Sequence, residues 1–383
     1  MKRKSCNCCL VLIVLVFMSV PAYAADITLT PSIGAQGTYN DNIDFSRTNK
    51  LDDYIGTISP SLALDYATQR FNLGVNAGVD VVRHNDNTNR DYERQNYGLD
   101  MGFKPSERIS INARGSYVAD ITLDSELQET GIVERRSDRD RYGAGGGVAF
   151  QLTEVSDLAL DYSFTTTEYE LVDLIESDSH TVSLPYNSTY NDGRDVVTLR
   201  PYYRNTDSDE EDVDTYGFTL GLAHTFSETF QGNISAGVRY TETEDTLGTT
   251  DDDWGWTAEV GFEKNFQTAT VGFSYLRDLG FTAEGETVEV NRFTLFANKR
   301  LTSRFRINLA GSLFFTKSYE APRTEDARYY EVTPSVSYLI TENHTLSLAY
   351  SYANEYNKIL TDDRKVDRNT VWLSLNFNFP WKW

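Results

Sequence analysis

The sequence predicts an all-β fold, a transmembrane antiparallel up-and-down β-barrel of about eighteen strands. Three observations carry this. The chain ends on a strict alternation, with Leu375, Phe377, Phe379, Trp381 and Trp383 on one face and Asn376, Asn378, Pro380 and Lys382 on the other. A period of two makes a strand with one apolar face, and a last strand that faces lipid ends this way. The connections alternate short and long. The outward aromatics fall in two belts around an aliphatic band, as a wall crossing a bilayer requires.

The strands follow in order from the alternation. Strand one places Ile27, Leu29, Ile33, Ala35 and Tyr39 outward; strand two Tyr54, Ile58, Leu62, Leu64 and Tyr66; strand three Phe71, Leu73, Val75, Ala77, Val79 and Val81. Strands four and five carry Tyr97 to Phe103 and Ile109 to Tyr117. Strands six and seven carry Tyr142 to Phe150 and Leu158 to Phe164. Strands eight and nine centre on Val182 to Tyr190 and Val197 to Tyr203, where the alternation is weaker. Strands ten to seventeen carry Tyr216 to Leu222, Ile234 to Tyr240, Trp254 to Phe262, Val271 to Tyr275, Phe293 to Ala297, Ile307 to Phe315, Tyr330 to Tyr338 and Leu346 to Tyr352. The terminal strand is the eighteenth and pairs with the one that starts near Ile27.

The short connections include Lys104 to Glu107, Asn191 to Arg194, Ser227 to Thr229, Leu301 to Arg304 and Thr341 to His344. The long, mostly acidic ones include Asn40 to Asp53, Ile121 to Asp138, Asn205 to Asp212, Glu242 to Asp253, Ser318 to Asp326 and Asn357 to Asp367. Short periplasmic turns and longer extracellular loops are the asymmetry of outer-membrane barrels. None of the loops is read as a plug, and none is read as folding inward.

The first 24 residues read as a signal peptide, leaving residues 25–383 as the barrel. Lys2, Arg3 and Lys4 precede an apolar run from Leu10 to Val20, and Ala22-Tyr23-Ala24 is a small-x-small cleavage site. The run is too short to span a bilayer as a helix. Cys6, Cys8 and Cys9 leave with it, so neither a disulfide nor thiol chemistry is expected afterwards. Without those three basic residues, 32 Lys and Arg face 57 Asp and Glu, a net charge of −25. That disfavours nucleic acid as a partner. The mean hydropathy of −0.46 suits a wall in which every second residue faces water.

Inward positions are mainly small and polar, such as Gly143, Gly145 and Gly147, or Thr215, Gly217, Thr219 and Gly221. With this many strands, such a lining implies an open aqueous pore. Charged inward residues are the candidate selectivity determinants. Arg114, Arg200, Glu259 and Arg292 fall at mid-strand depth; Asp80, Asp100, Arg239 and Arg306 lie off the midplane. The plainer reading is that they pair across neighbouring strands. The acidic runs Asp207 to Asp214 and Asp251 to Asp253 could hold divalent cations at a lipopolysaccharide surface. They lack the spaced ligands and glycine turn of a calcium loop, so solubilising loops are the favoured reading, and no metal or cofactor site is assigned. Catalysis has little support. There is no GxSxG and no HExxH, and of the histidines only His84 lies near the outer rim, without a nameable partner.

The first hairpin resembles a family of bacterial β-barrel porins found with exopolysaccharide synthesis and exosortase systems. The resemblance rests on Pro31-Ser32-Ile33, Tyr39-Asn40-Asp41-Asn42-Ile43, Asp53-Tyr54-Ile55 and Thr57-Ile58-Ser59-Pro60-Ser61-Leu62. It implies a location in the outer membrane of a Gram-negative bacterium and a role in passing polysaccharide across it, with polysaccharide export proteins as partners. The aromatic C-terminus also resembles the signal read by the barrel-assembly machinery. The other partners expected are outer-membrane lipid and lipopolysaccharide. The expected function is a porin-like channel. The alternatives are a non-conducting structural or adhesive barrel and, less favoured, an outer-rim hydrolase.

Overall fold

A computed structural model describes residues 25–133, 135–246, 248–319, 326–359 and 362–383. The leader expected over residues 1–24 lies outside them. The described chain is almost entirely strand: β1 Asp26–Asn40, β2 Asp53–Ala67, β3 Phe71–His84, β4 Tyr92–Ser106, β5 Ile109–Ile121, β6 Asp138–Thr153, β7 Ser156–Tyr169, β8 Ser177–Ser183 and β9 Tyr186–Tyr190. Then come β10 Asp195–Ser208, β11 Glu211–Ser227, β12 Phe230–Asp245, β13 Thr250–Asn265, β14 Ala269–Phe281, β15 Thr287–Arg300, β16 Phe305–Ser318, β17 Asp326–Leu339, β18 His344–Ile359, β19 Asp362–Asn378 and β20 Trp381–Lys382. One short α-helix, α1 (Thr122–Glu129), and two single 3₁₀ turns, Thr88–Arg90 and Asn191–Gly193, interrupt them.

Apart from β8 with β9 and β19 with β20, every strand pairs antiparallel with its sequence neighbour, and β19 returns to β1 from Ser32↔Asn378 to Asn40↔Thr370. The sheet therefore closes. β8 and β9 are two pieces of one wall strand, both paired between β7 and β10. The ladder breaks at Leu184-Pro185 opposite Pro201, because proline has no N–H to donate. β20 continues β19 beyond Pro380, so the wall has eighteen strands. The terminal alternation survives that break. Phe379 N–H donates to the Pro31 carbonyl at 2.9 Å, Trp381 is in register with Leu29, and Trp383 exchanges both backbone bonds with Ile27. Phe379, Trp381 and Trp383 all remain exposed on the outer face.

The aromatic belts form by cross-strand register. In the outer belt Tyr39 stacks near Tyr54 at 5.1 Å, Tyr117 near Tyr142 at 4.9 Å, Tyr203 near Tyr216 at 5.1 Å and Tyr240 near Trp254 at 5.2 Å. At the short turns Phe226 and Phe230 stack at 4.6 Å and Phe305 and Tyr338 at 5.7 Å. Each directly opposed pair contributes about 0.2–1 kcal/mol to the register it marks.

Two expectations are corrected. Three acidic runs read as loops are strand instead: β10 and β11 run on to Ser208 and from Glu211, β12 and β13 leave only residues 246–249 between them, and β18 and β19 extend to Ile359 and from Asp362. Charged residues alternate there as the apolar ones do below. Asp207, Asp212, Asp214, Glu242, Glu244 and Asp252 share the outward face just above the aromatic belt, and Tyr240 donates to Glu242 and Asp252 at 3.1 and 3.2 Å. The second correction concerns the lumen: the connection Ile121 to Asp138 folds inward.

Candidate functional site

The inward loop is fixed first at its base. Thr122 N–H donates to the Ser137 carbonyl at 3.0 Å, and its hydroxyl donates to Arg135 O at 2.6 Å. Asp124 lies in the first turn of α1, where a carboxylate favours the helix N-terminus, and it receives the Tyr92 hydroxyl at 2.8 Å. The helix stops at Thr130, and Gly131 leaves it with φ of +77°. A Cβ at Gly131 would lie 2.7 Å from that of Phe314, so both backbone and packing require glycine there.

Beyond its base the loop crosses the lumen and builds an apolar core inside the barrel. Ile121, Leu123, Leu127 and Val133 pack with Val288 and Val290 of β15, Phe314 of β16, Tyr329 of β17, Ala353 of β18 and Val366 of β19. Phe45 from the β1–β2 connection inserts from above, edge-on to Tyr329 at 6.3 Å. Thr316 donates to the Thr130 carbonyl, and Arg292 donates to Gln128 O at 3.3 Å. The tip of the β14–β15 hairpin also leans in. Ile175 N–H bonds Ala283 O at 2.8 Å, Thr287 bonds Glu211 at 2.6 Å, and Arg204 pairs with Asp278 at 3.2 Å.

What stays open in the outer half is a cavity of about 370 Å³. Glu126 and Glu129 of α1 face Arg139 and Arg141 of β6, Arg204 of β10 and Arg292 of β15 across it. Arg139 is held at 3.1 Å from Asp120 and 3.3 Å from Glu129; Arg141 also pairs with Glu129. Tyr169 donates to Glu126 at 2.9 Å. Burial, reinforced by Glu284, pushes the Glu126 carboxyl up to about 8, so it holds its proton near neutrality. Four guanidiniums thus line the cavity against two carboxyls, Glu126 and Glu129, with Asp120 paired to Arg139, Asp278 paired to Arg204 and Glu284 facing Glu126.

The residues singled out from sequence scatter around this point. Only Arg292 lines the cavity. Asp80 is paired with Arg94 across β3 and β4. Asp100 and Arg114 are in register and line a wider space of about 460 Å³ on the inner face of β3 to β7. Arg200 and Arg306 are exposed, and Glu259, also exposed, receives Asn233 at 3.1 Å. Arg239 is withdrawn from water, only 1% exposed. His84 is buried with Nδ1 3.4 Å from Asp91, and its backbone N–H donates to the same carboxylate at 2.7 Å, which pins the β3–β4 connection. Glu126, Glu129, Arg139, Arg141 and Arg204 were missed. Arg139, Arg141 and Arg204 sit at inward parity, and that signal was available.

The wall is a closed antiparallel barrel of eighteen strands, a fold shared with solved structures. The chain resembles Pseudomonas aeruginosa OccK1 (OpdK) at 9% identity with a TM-score of 0.51, over 92% of this chain and 99% of that one. It resembles the same protein solved with vanillate at 10% identity and a TM-score of 0.50, over the same shares of both chains. Pseudomonas aeruginosa OccK2 (OpdF) aligns at 10% identity, TM-score 0.50, over 93% and 98%. At such identities the likeness establishes the fold. The family described as "Putative MetA-pathway of phenol degradation" matches residues 42–171, about a third of the chain. A search of curated protein sequences found no match.

Proposed function

We propose that this barrel is an outer-membrane channel for small solutes, with a weak preference for anions. One observation carries the reading: a closed wall with a polar inner face holds a cavity whose lining sets four arginines, Arg139, Arg141, Arg204 and Arg292, against two carboxyls, Glu126 and Glu129. Charge at the narrowest point of a pore sets which ions enter. Polysaccharide export finds less support, because the core around Leu127 and Phe314 occupies part of the lumen that a polymer would thread. The same core favours a second reading, a barrel that is shut at rest and serves through its surface. Planar-bilayer recording on heat-modifiable protein separates the two. Single-channel steps with a reversal potential displaced toward the anion support the channel; no current at any voltage overturns it.

A further inference from the structure

Among the described residues, the outer part of the wall between β13 and β14 is a seam closed by side chains and not by a ladder. β13 starts at Thr250 and β14 runs to Phe281, yet their register ends at Ala258↔Arg277. Above that pair β14 turns inward with the β15 hairpin, and the edge of β13 is left behind. The space between them is filled from β12. Arg239 passes over Gly255, where a Cβ would sit 2.7 Å from its Cζ, and donates to the Trp256 carbonyl at 2.8 Å. Its guanidinium lies 5.4 Å from the Tyr319 ring, and its Nε and Nη2 donate no hydrogen bond although the residue is fully buried. On the outer side Arg277 stacks on the exposed Trp256 ring at 4.0 Å and pairs with Glu289, whose carboxylate stands 3.9 Å from Arg239.

We infer that this seam is a lateral portal for a single-chain amphipathic anion, entering from the outer leaflet with its head on Arg239 and its tail against Trp256 and Tyr319. Two guanidiniums share one carboxylate there, and a buried guanidinium whose Nη2 reaches that carboxylate only at 3.9 Å is an anion acceptor. The mouth opens beside Trp254 of the outer aromatic belt, the depth at which the head of an amphipath rests. Inside, the face of the β14–β15 hairpin that meets Arg239 continues through Leu279 and Phe281 into the cavity with Arg204. Opening requires side chains to swing and breaks no backbone ladder. The inference goes beyond the channel reading and uses it only for the destination.

The test is photolabelling in phosphatidylcholine nanodiscs with diazirine-bearing dodecanoate and, in parallel, the matching dodecanol. The carboxylate is expected to label β13 above Ala258 and the β14–β15 hairpin. Loss of one charge-assisted contact should cut that labelling roughly tenfold in Arg239→Gln. Glu289→Gln, which frees Arg277, should raise it. Equal labelling by the alcohol, adducts spread evenly around the aliphatic band, or indifference to both substitutions would overturn the portal. If Arg239→Gln does not fold, Glu289→Gln alone decides. Conductance of the same preparation keeps the readings apart: current without seam labelling removes the portal and spares the channel, and labelling without current does the reverse.

Discussion

The hydroxyl of Tyr169 on β7 donates to the Glu126 carboxyl of α1 at 2.9 Å, joining the wall to the loop that crosses the lumen. The two residues are 43 apart in sequence and both line the cavity between loop and wall. Because Glu126 is buried and also faces Glu284, its proton state decides how well the loop docks.

Protonation should therefore close the constriction. The carboxyl of Glu126 rises from its ordinary 4.5 to about 8 when the loop is docked, so the docked state binds the proton more tightly. Its stability is complete below the undocked value and falls as pH rises through about 8. Conductance should be smaller at pH 6 than at pH 9, and Glu126→Gln should flatten the profile at the low-conductance end. An unchanged slope in that variant would contradict the assignment.

Leu127→Ala removes the centre of the interior core. A buried leucine cut to alanine loses about 2–5 kcal/mol. That loss falls on loop docking, since the eighteen-strand ladder does not involve Leu127. Trypsin cleavage at Arg135 or Arg136 should quicken while heat-modifiable migration is retained.

Arg292→Glu reverses one charge at the constriction. The lining then holds three arginines against three carboxyls, and the reversal potential in a salt gradient should move from the anion side toward the cation side. Arg306→Glu, on an exposed residue outside the cavity, should leave it unchanged.

Deleting residues 381–383 removes the bonds of Trp383 to Ile27 and the register of Trp381 with Leu29. Most of β19–β1 pairing remains. Refolding in detergent should therefore persist, while the yield of assembled barrel in cells should fall if the aromatic end is the assembly signal it resembles. Equal yields in cells would show that it is not.

Much of the fold is legible because each wall residue answers to one local condition, lipid on one side and water on the other. That condition repeats every second residue, and it led to the eighteen strands and through Pro380, short of the charged ends of β10 to β13, β18 and β19 that read as loops. It carried less at the constriction. Phe314 next to Phe315, Tyr329 next to Tyr330, and Val288 and Val290 opposite Phe293 put apolar side chains on both faces at the outer ends of the strands. Those doubled positions signal that something covers the lumen side. The alternation does not say what covers it.

The sequence by itself determined the wall: closure, strand number, belts and the outward face follow from a period of two and the requirement that no ladder edge meet lipid. Tertiary structure decided the lumen. Whether Thr122–Glu129 folds out into water or inward onto Phe314 and Tyr329 depends on apolar surface contributed by strands about 160 to 240 residues later. Periodicity is a property of neighbours along one strand. Complementarity across a barrel arises only once the wall has closed.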